Sequence, residues 1–282
     1  EKIREVITRT CNLREHMANR ELSGLLSGLE SLPATPRLYE ELTRAMADPE
    51  VSFDEVAGIL EQDPGISAKI LQLVNSSFFG VAREISSVRE AATLIGLDLI
   101  KTITLSAEVF RKFESMAIPR FDPNREQRVA SLAARIAKTI APDKATKRAS
   151  FLGAMLRDVG TLVFASEFTE RFGELYRRSV AENVPIQSLE EQAFGVGHPE
   201  VGAFLLALWG LPHSIVEAVA YHHAPGEVDP PSFDVYGIVH VADAFARERP
   251  DSIDTEYLAR VGAAGRIEEW RTIAEREAEA AA

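Results

Sequence analysis

Histidine supplies metal ligands and general bases near neutral pH, and the six in this chain are unevenly placed. After His16 none occurs for 181 residues; then come His198, His213, His222, His223 and His240, with Asp243 three residues beyond the last. Taken singly, each reads as a helix-end or surface histidine. Together with Asp243 they could crowd one pocket and hold a cation or move a proton. The single cysteine, Cys11, excludes an intrachain disulfide and fits a reducing cytoplasm. It sits in a helical pattern with no histidine partner placed by the sequence, so it is not read as a nucleophile. Gly195-Val196-Gly197 with Gly202 lacks the preceding strand and the spacing of a dinucleotide loop, and reads as a turn between helices.

The elements that must position these groups are helical. Ile3, Val6, Thr10, Leu13 and Met17 form an a/d seam, in a segment whose charges balance at five acidic and five basic residues up to Glu30. That seam suits either a connector from an upstream domain, through which the chain could dimerise, or a helix packed on the domain itself. Three capping boxes mark helix starts: Ser52 with Glu55, Ser87 with Glu90, and Ser188 with Glu191. Val56, Ile59 and Leu60 continue one helix to Asp63-Pro64; Ile66, Ile70, Leu73 and Val74 share a face of the next. Leu94, Leu97, Ile100, Ile103 and Leu105 predict a buried stripe. An Ala-rich helix is expected over 129–140, another over 151–164 interrupted at Gly160, and two more from Pro199 and Pro212, split by Gly210. No alternating β-branched run predicts a strand.

The class is therefore all-α, in two lobes: a connector helix over 1–30, an N-terminal lobe over 31–118, a C-terminal lobe over 119–267, and an acidic tail over 268–282 expected to be a solvated helix or a frayed end. The 282 residues carry 43 acidic against 31 basic groups, a net charge of −12. That field opposes phosphate backbones and anionic lipid, and no basic patch offsets it, so neither nucleic acid nor membrane is an expected partner. The longest apolar run, Val201 to Leu211, is far short of the roughly 18–20 residues of a bilayer span. An opening of Glu1-Lys2-Ile3-Arg4, without Met or an apolar stretch, reads as part of a longer chain.

Several strings then resemble one family. Leu32-Pro33-Ala34-Thr35-Pro36, Gln62-Asp63-Pro64-Gly65-Ile66, and Val74-Asn75-Ser76-Ser77-Phe78-Phe79-Gly80 look like the N-terminal signature of the HDOD domain, the HD-related output domain of bacterial signalling proteins. Gly153 to Gly160, His198-Pro199-Glu200-Val201-Gly202-Ala203, Trp209-Gly210-Leu211-Pro212 and His222-His223-Ala224-Pro225 match the rest in order, so that the resemblance covers about residues 31 to 245. It implies a C-terminal lobe like a degenerate HD hydrolase. Asp63, Pro64, Asn75, Ser76, Phe78, Phe79 and Gly80 become signature residues, either an interaction edge or a capped helix end with buried phenylalanines.

The departures bear on function. HD hydrolases hold one or two divalent metals through an early histidine, a His-Asp doublet, later histidines and a final Asp. Here the early helix around Arg125 to Ala137 has no histidine, and the doublet is Arg157-Asp158. Arginine has no lone pair for a metal and stays protonated. The degenerate positions are thus Arg157, Asp158, His198, His222, His223 and Asp243, with Arg157 expected to neutralise Asp158 or Asp243 unless it lies at the surface. The resemblance implies a non-catalytic signalling module, cytoplasmic and without metal or cofactor, that acts on a protein partner and follows an upstream receiver-type domain. Two alternatives stay open: a metal-dependent phosphohydrolase using Asp158, His198, His223 and Asp243, and a receptor that holds a nucleotide without cleaving it.

Overall fold

Short side chains at helix starts account for much of the element order. In the computed structural model, which describes Leu22, Leu25 and residues 34–75, 83–114, 121–228 and 231–280, Ser52 accepts from the Glu55 N–H and Ser87 from the Glu90 N–H. Asp63, Asp122 and Asp143 cap further starts, the first two ahead of a proline at the first helical position. Among the described residues no strand occurs and every regular element is helical, so the fold is all-α. The seam of Ile3, Val6, Thr10, Leu13 and Met17 lies outside the described residues, as do Cys11, His16, Ser76, Phe78, Phe79 and Gly80. Leu22 is helical and wholly buried.

Two compact units result, one built on Ala34–Ser115 and the other on Met116–Ala278. The first holds α1 (Arg37–Ala45), α2 (Phe53–Leu60), α3 (Pro64–Val74), α4 (Val88–Ile95) and α5 (Leu97–Glu114). Helix α5 packs against α1, α3 and α4. Its Glu108 is buried and accepts the Leu38 and Tyr39 N–H groups at the start of α1, which satisfies donors left open at a helix N-terminus. Asp63 reaches α5 too: one carboxylate oxygen accepts from the Ile66 N–H at 3.1 Å and the other pairs with Arg111. Asn75 closes the end of α3 by bonding both ways to Ile85, its amide donating to the carbonyl and its oxygen accepting the N–H, each at 2.7 Å.

The second unit runs through α6 (Pro123–Ile140), α7 (Lys144–Leu156), α8 (Thr161–Glu167), α9 (Thr169–Glu182), α10 (Ile186–Phe194), α11 (His198–Leu208), α12 (His213–Ala220), α13 (Val235–Ala246), α14 (Thr255–Arg260) and α15 (Ile267–Glu279), with three short 3-10 turns between them. Helix α13, VYGIVHVADAFA, is buried on nearly every side and packs against α6, α7 and α12. A helix apolar all round belongs in the middle of a core. Alanines of α6 (Ala130, Ala133, Ala134, Ala137) let it approach its neighbours closely. The stretch Lys144–Glu167 is long and apolar enough to cross a membrane, yet it is mostly buried inside the protein.

Four details depart from the sequence reading. Ser188 and Glu191 do not form a capping box, because α10 already begins at Ile186 with Pro185 ahead of it. The proposed stripe from Leu94 to Leu105 belongs to two helices; Gly96 at φ 88° ends α4, leaving Leu94 53% exposed. Leu73 is only partly buried beside Ile66, Ile70 and Val74. The acidic end is helical, as one of the two expectations had it, but α15 is not simply solvated: its Trp270 is wholly buried and stacks on Phe233 at 4.9 Å. Glu277 of the same helix pairs with Arg135 at 3.2 Å. An acidic, Ala-rich composition hid one aromatic anchor.

Two outcomes follow from these contacts. Arg111 and then the Ile66 N–H hold the Asp63 carboxyl below its ordinary value, so its contribution is present above the usual aspartate range and lost as pH falls through the depressed value. Asp63→Ala should lower stability by about 1 kcal/mol at neutral pH; in urea melts the gap to the parent protein should close below about pH 4, and an undiminished gap would refute the charge account. A Cβ added at Gly160 would lie 2.0 Å from the His198 carbonyl oxygen and 2.6 Å from the Gly202 nitrogen. Gly160→Ala should therefore cost about 3 kcal/mol or more, whereas Gly58→Ala, with nothing within 4 Å, should be neutral or slightly stabilising.

Candidate functional site

The same backbone crossing positions the chemistry. Helix α7 ends at Leu156, and a turn closed by Val159 N–H to Leu156 O and Thr161 N–H to Asp158 O carries Arg157 and Asp158 before α8 starts. Gly160 in that turn lies against Gly202 and His198 of α11. His222 and His223 follow directly after α12, and Asp243 lies on the buried helix α13. Four separate segments of one unit thus converge.

Arg157 is wholly buried. Its Nε donates to Asp243 Oδ1, Nη1 donates to the Ala154 carbonyl at 2.7 Å, and Nη2 lies 3.2 Å from Asp158 Oδ2. Arg247, one helical turn beyond Asp243, completes the cluster: Nε donates to Asp243 Oδ1 at 3.0 Å, Nη2 to Asp158 Oδ2 at 2.6 Å and Nη1 to Glu126 Oε2 at 3.2 Å. Burial alone would raise both aspartates; the charges of Arg157 and then Arg247 outweigh it and hold both carboxyls well below the ordinary range. Both acids are therefore ionised and neutralised by guanidiniums.

The imidazoles lie on the other side of Asp158. His198 Nδ1 faces Glu190 Oε2 at 2.7 Å, and the His198 backbone N–H donates to the same oxygen at 2.9 Å. A carboxylate accepts only, so the Nδ1 proton is fixed and Nε2 points away from Glu190. That Nε2 lies 3.3 Å from His223 Nε2 and 3.5 Å from Asp158 Oδ1. His222 donates from Nδ1 to the Val219 carbonyl at 2.7 Å, which leaves its buried Nε2 without a hydrogen-bond partner, 4.0 Å from Asp158 Oδ1. Burial pushes His198 down, but Glu190 and Asp158 more than reverse it, and its net shift is upward. His222 is pushed down to about 4 by burial and then by the charge on His198, and His223 is lowered by burial and then by His222 and His198.

Of the candidates drawn from sequence, Arg157, Asp158, His198, His222, His223 and Asp243 are thus brought together. Asp63, Pro64 and Asn75 belong to the other unit, where they cap and close α3. His240 stands apart from the imidazole group: Nδ1 donates to the His222 carbonyl at 2.7 Å and Nε2 accepts from the Asp254 N–H at 2.9 Å. His213 is partly exposed, 3.8 Å from Glu217. Three members were missed. Arg247 was legible as an i, i+4 partner of Asp243; Glu190 and Glu126 carry no signal in one dimension.

A two-metal arrangement of the HD-hydrolase kind does not fit. Asp243, the expected final ligand, is engaged by Arg157 and Arg247, and a guanidinium occupies the place of a ligand. Of the alternative set of Asp158, His198, His223 and Asp243, the last is held by both guanidiniums and Asp158 is paired with them as well. One ring nitrogen from each of His198, His222 and His223 does lie within 4.8 Å of the others, so donors for a single ion remain. Removing Arg157 would leave buried carboxylates with one cation fewer. Arg157→Ala should cost about 3–5 kcal/mol, read from denaturant unfolding, and a loss under 1 kcal/mol would mean the cluster is not a structural requirement.

Known proteins share this arrangement of helices. A solved HDOD domain protein of unknown function from Geobacter sulfurreducens is 24% identical and superposes with a TM-score of 0.69 over 96% of this chain and 99% of its own. A candidate phosphohydrolase from Shewanella amazonensis SB2B superposes at 0.68 with 20% identity, covering 94% of this chain and all of that one. A candidate signal transduction protein from Marinobacter aquaeolei VT8 superposes at 0.67 with 20% identity, over 96% of this chain and 66% of that one. In sequence, an uncharacterized protein of Treponema pallidum (strain Nichols) is 28% identical over 231 residues, 80% of this chain; those residues span only 43% of the relative's length. The HDOD domain family matches residues 32–225, and the chain, whose described residues are all-α, belongs to that family.

Proposed function

We propose that the domain is a non-catalytic signalling output module, which works by protein–protein interaction and conformational change. The observation that carries this reading is the wholly buried Arg157 held between Asp158 and Asp243. A hydrolase of this fold needs a metal there to activate water, and a guanidinium fixed by Asp243 and the Ala154 carbonyl and ion-paired with Asp158 offers neither a ligand nor a base. The pocket is kept folded by internal charge pairing. Signalling and phosphohydrolase designations both occur among the structural relatives, and this feature favours the former.

In such a module an upstream domain alters the packing of the N-terminal connector, and the shift covers or uncovers a partner surface. The partner is a cytoplasmic signalling protein. Apolar surface suited to one is present on the smaller unit, where Phe53 of α2 and Leu94 of α4 are 39% and 53% exposed on helices that pack together. Purified protein should show no turnover of cyclic mononucleotides, cyclic dinucleotides or phosphomonoesters in the presence of Mn2+, Fe2+ or Mg2+. Metal-dependent hydrolysis that disappears in Asp158→Asn would overturn the proposal.

A further inference from the structure

The last helix of the chain lies beyond the residues 32–225 of the family match, and it is held differently from the helices around it. We propose that α15 is a displaceable occupant of a helix-binding groove along α13 and α6, and that the groove's other occupant is an acidic amphipathic helix of a partner protein, anchored by an aromatic side chain. This surface is distinct from the exposed apolar residues of the smaller unit, and the inference does not depend on the signalling reading above.

The recognition chemistry is visible in what α15 already does. Ile267, Trp270, Arg271, Ala274 and Glu277 recur at helical spacing and are buried or half-buried, while Glu268, Glu269, Thr272, Glu275 and Arg276 between them are exposed. Such a stripe is how an amphipathic helix engages a groove. Trp270 stacks on Phe233, just ahead of α13, with ring centroids 4.9 Å and planes 10° apart, and the Arg271 guanidinium lies 5.8 Å from the Phe245 ring in the last turn of α13. Two turns beyond Trp270, Glu277 accepts from Arg135 Nε at 3.2 Å and from the Thr139 hydroxyl at 3.1 Å, both on α6. One aromatic plug and one carboxylate thus strap α13 to α6. Charge suits the same occupant. Helix α15 carries five glutamates against two arginines, and the edge it meets on α6 presents Arg135 and Lys138. Burial and then Lys147 of α7 pull Lys138 below its ordinary value, while Glu277 acts against them, as crowded cations beside a carboxylate should. In a chain of net charge −12 this strip is local, and it selects acidic helices over basic ones.

The resident helix is held shallowly. Of its thirteen residues only Trp270 and Ala274 are buried, whereas α13 buries eleven of twelve. Helix α15 also lies outside the close helix pairings that join α6, α7, α12 and α13, so its hold rests on side-chain reach. The buried indole N–H of Trp270 has no hydrogen-bond partner, which costs free energy in the docked state and is spared when a partner helix brings phenylalanine or leucine instead. Segments with few buried contacts and exposed backbone open below the global unfolding free energy, so a partner helix competes with this one segment and not with the fold. The alanine, glutamate and arginine content of α15 favours helix, which lets the released segment dock again. Displacement would take away the contacts at Phe233 and Phe245 that brace the two ends of α13, the helix to which Arg157 and His222 are bonded.

The test uses the full chain, with a fluorescein-labelled peptide of residues 265–282 as the probe. Trp270→Ala/Glu277→Gln in the full chain should loosen the resident helix, and the peptide should then bind that variant at least about tenfold more tightly than the parent protein, read by fluorescence anisotropy. Either substitution made in the peptide instead should weaken its binding by about tenfold, and added salt should weaken it too. In the unaltered parent protein, hydrogen exchange should show the α15 amides opening well before those of α13. No binding to the folded variant, equal binding to variant and parent, or α15 and α13 exchanging together would overturn the inference. So would a dimer of the parent protein that the peptide converts to monomers, since the second occupant would then be α15 of a second copy. The exchange measurement decides whether α15 is displaceable even if the variant fails to fold.

Discussion

A guanidinium sealed from water must be matched by carboxylates, and the larger unit is arranged around that requirement. Arg157 sits in the turn after α7, Asp158 follows it, and Asp243 and Arg247 come one turn apart on α13. Breaking such a pair leaves a bare charge in a medium that solvates it poorly, so turn and helix hold each other in place. Glu126 extends the network to α6 through Arg247. The network is an electrostatic joint between α6, α13 and the 157–160 turn.

The crossing of Gly160 and Gly202 makes the joint geometrically feasible. No side chain separates the two backbones there, and the close approach brings His198 alongside Asp158. Neither glycine has the positive φ of a left-handed residue; they are needed for space. The site is therefore defined by backbone proximity first and by side-chain chemistry second.

Much of this was legible in one dimension. The all-α class follows from capping residues and apolar periodicity; the histidines and Asp243 could crowd one pocket by their spacing, and the family resemblance added Arg157 and Asp158. What could not be read was local competition. Pro185 moved the start of α10 ahead of Ser188, because a proline before the first turn leaves the later serine inside the helix. Gly96 divided a run of leucines and isoleucines between two helices with different buried faces. Trp270 turned a segment of tail-like composition into a packed helix through its contact with Phe233, far away in sequence. Glu190 and Glu126 went unnoticed because a buried acid differs from a surface one only in its partners.

Helix α13 gives this arrangement a further property. His240 bonds the carbonyl of His222 while Asp243, on the same helix, bonds Arg157. One helix therefore holds both the imidazole group and the arginine cluster. A small slide or rotation of α13 would loosen both grips together, whereas bending the surface around it would loosen neither. Mechanically, α13 is a single bolt shared by the two clusters.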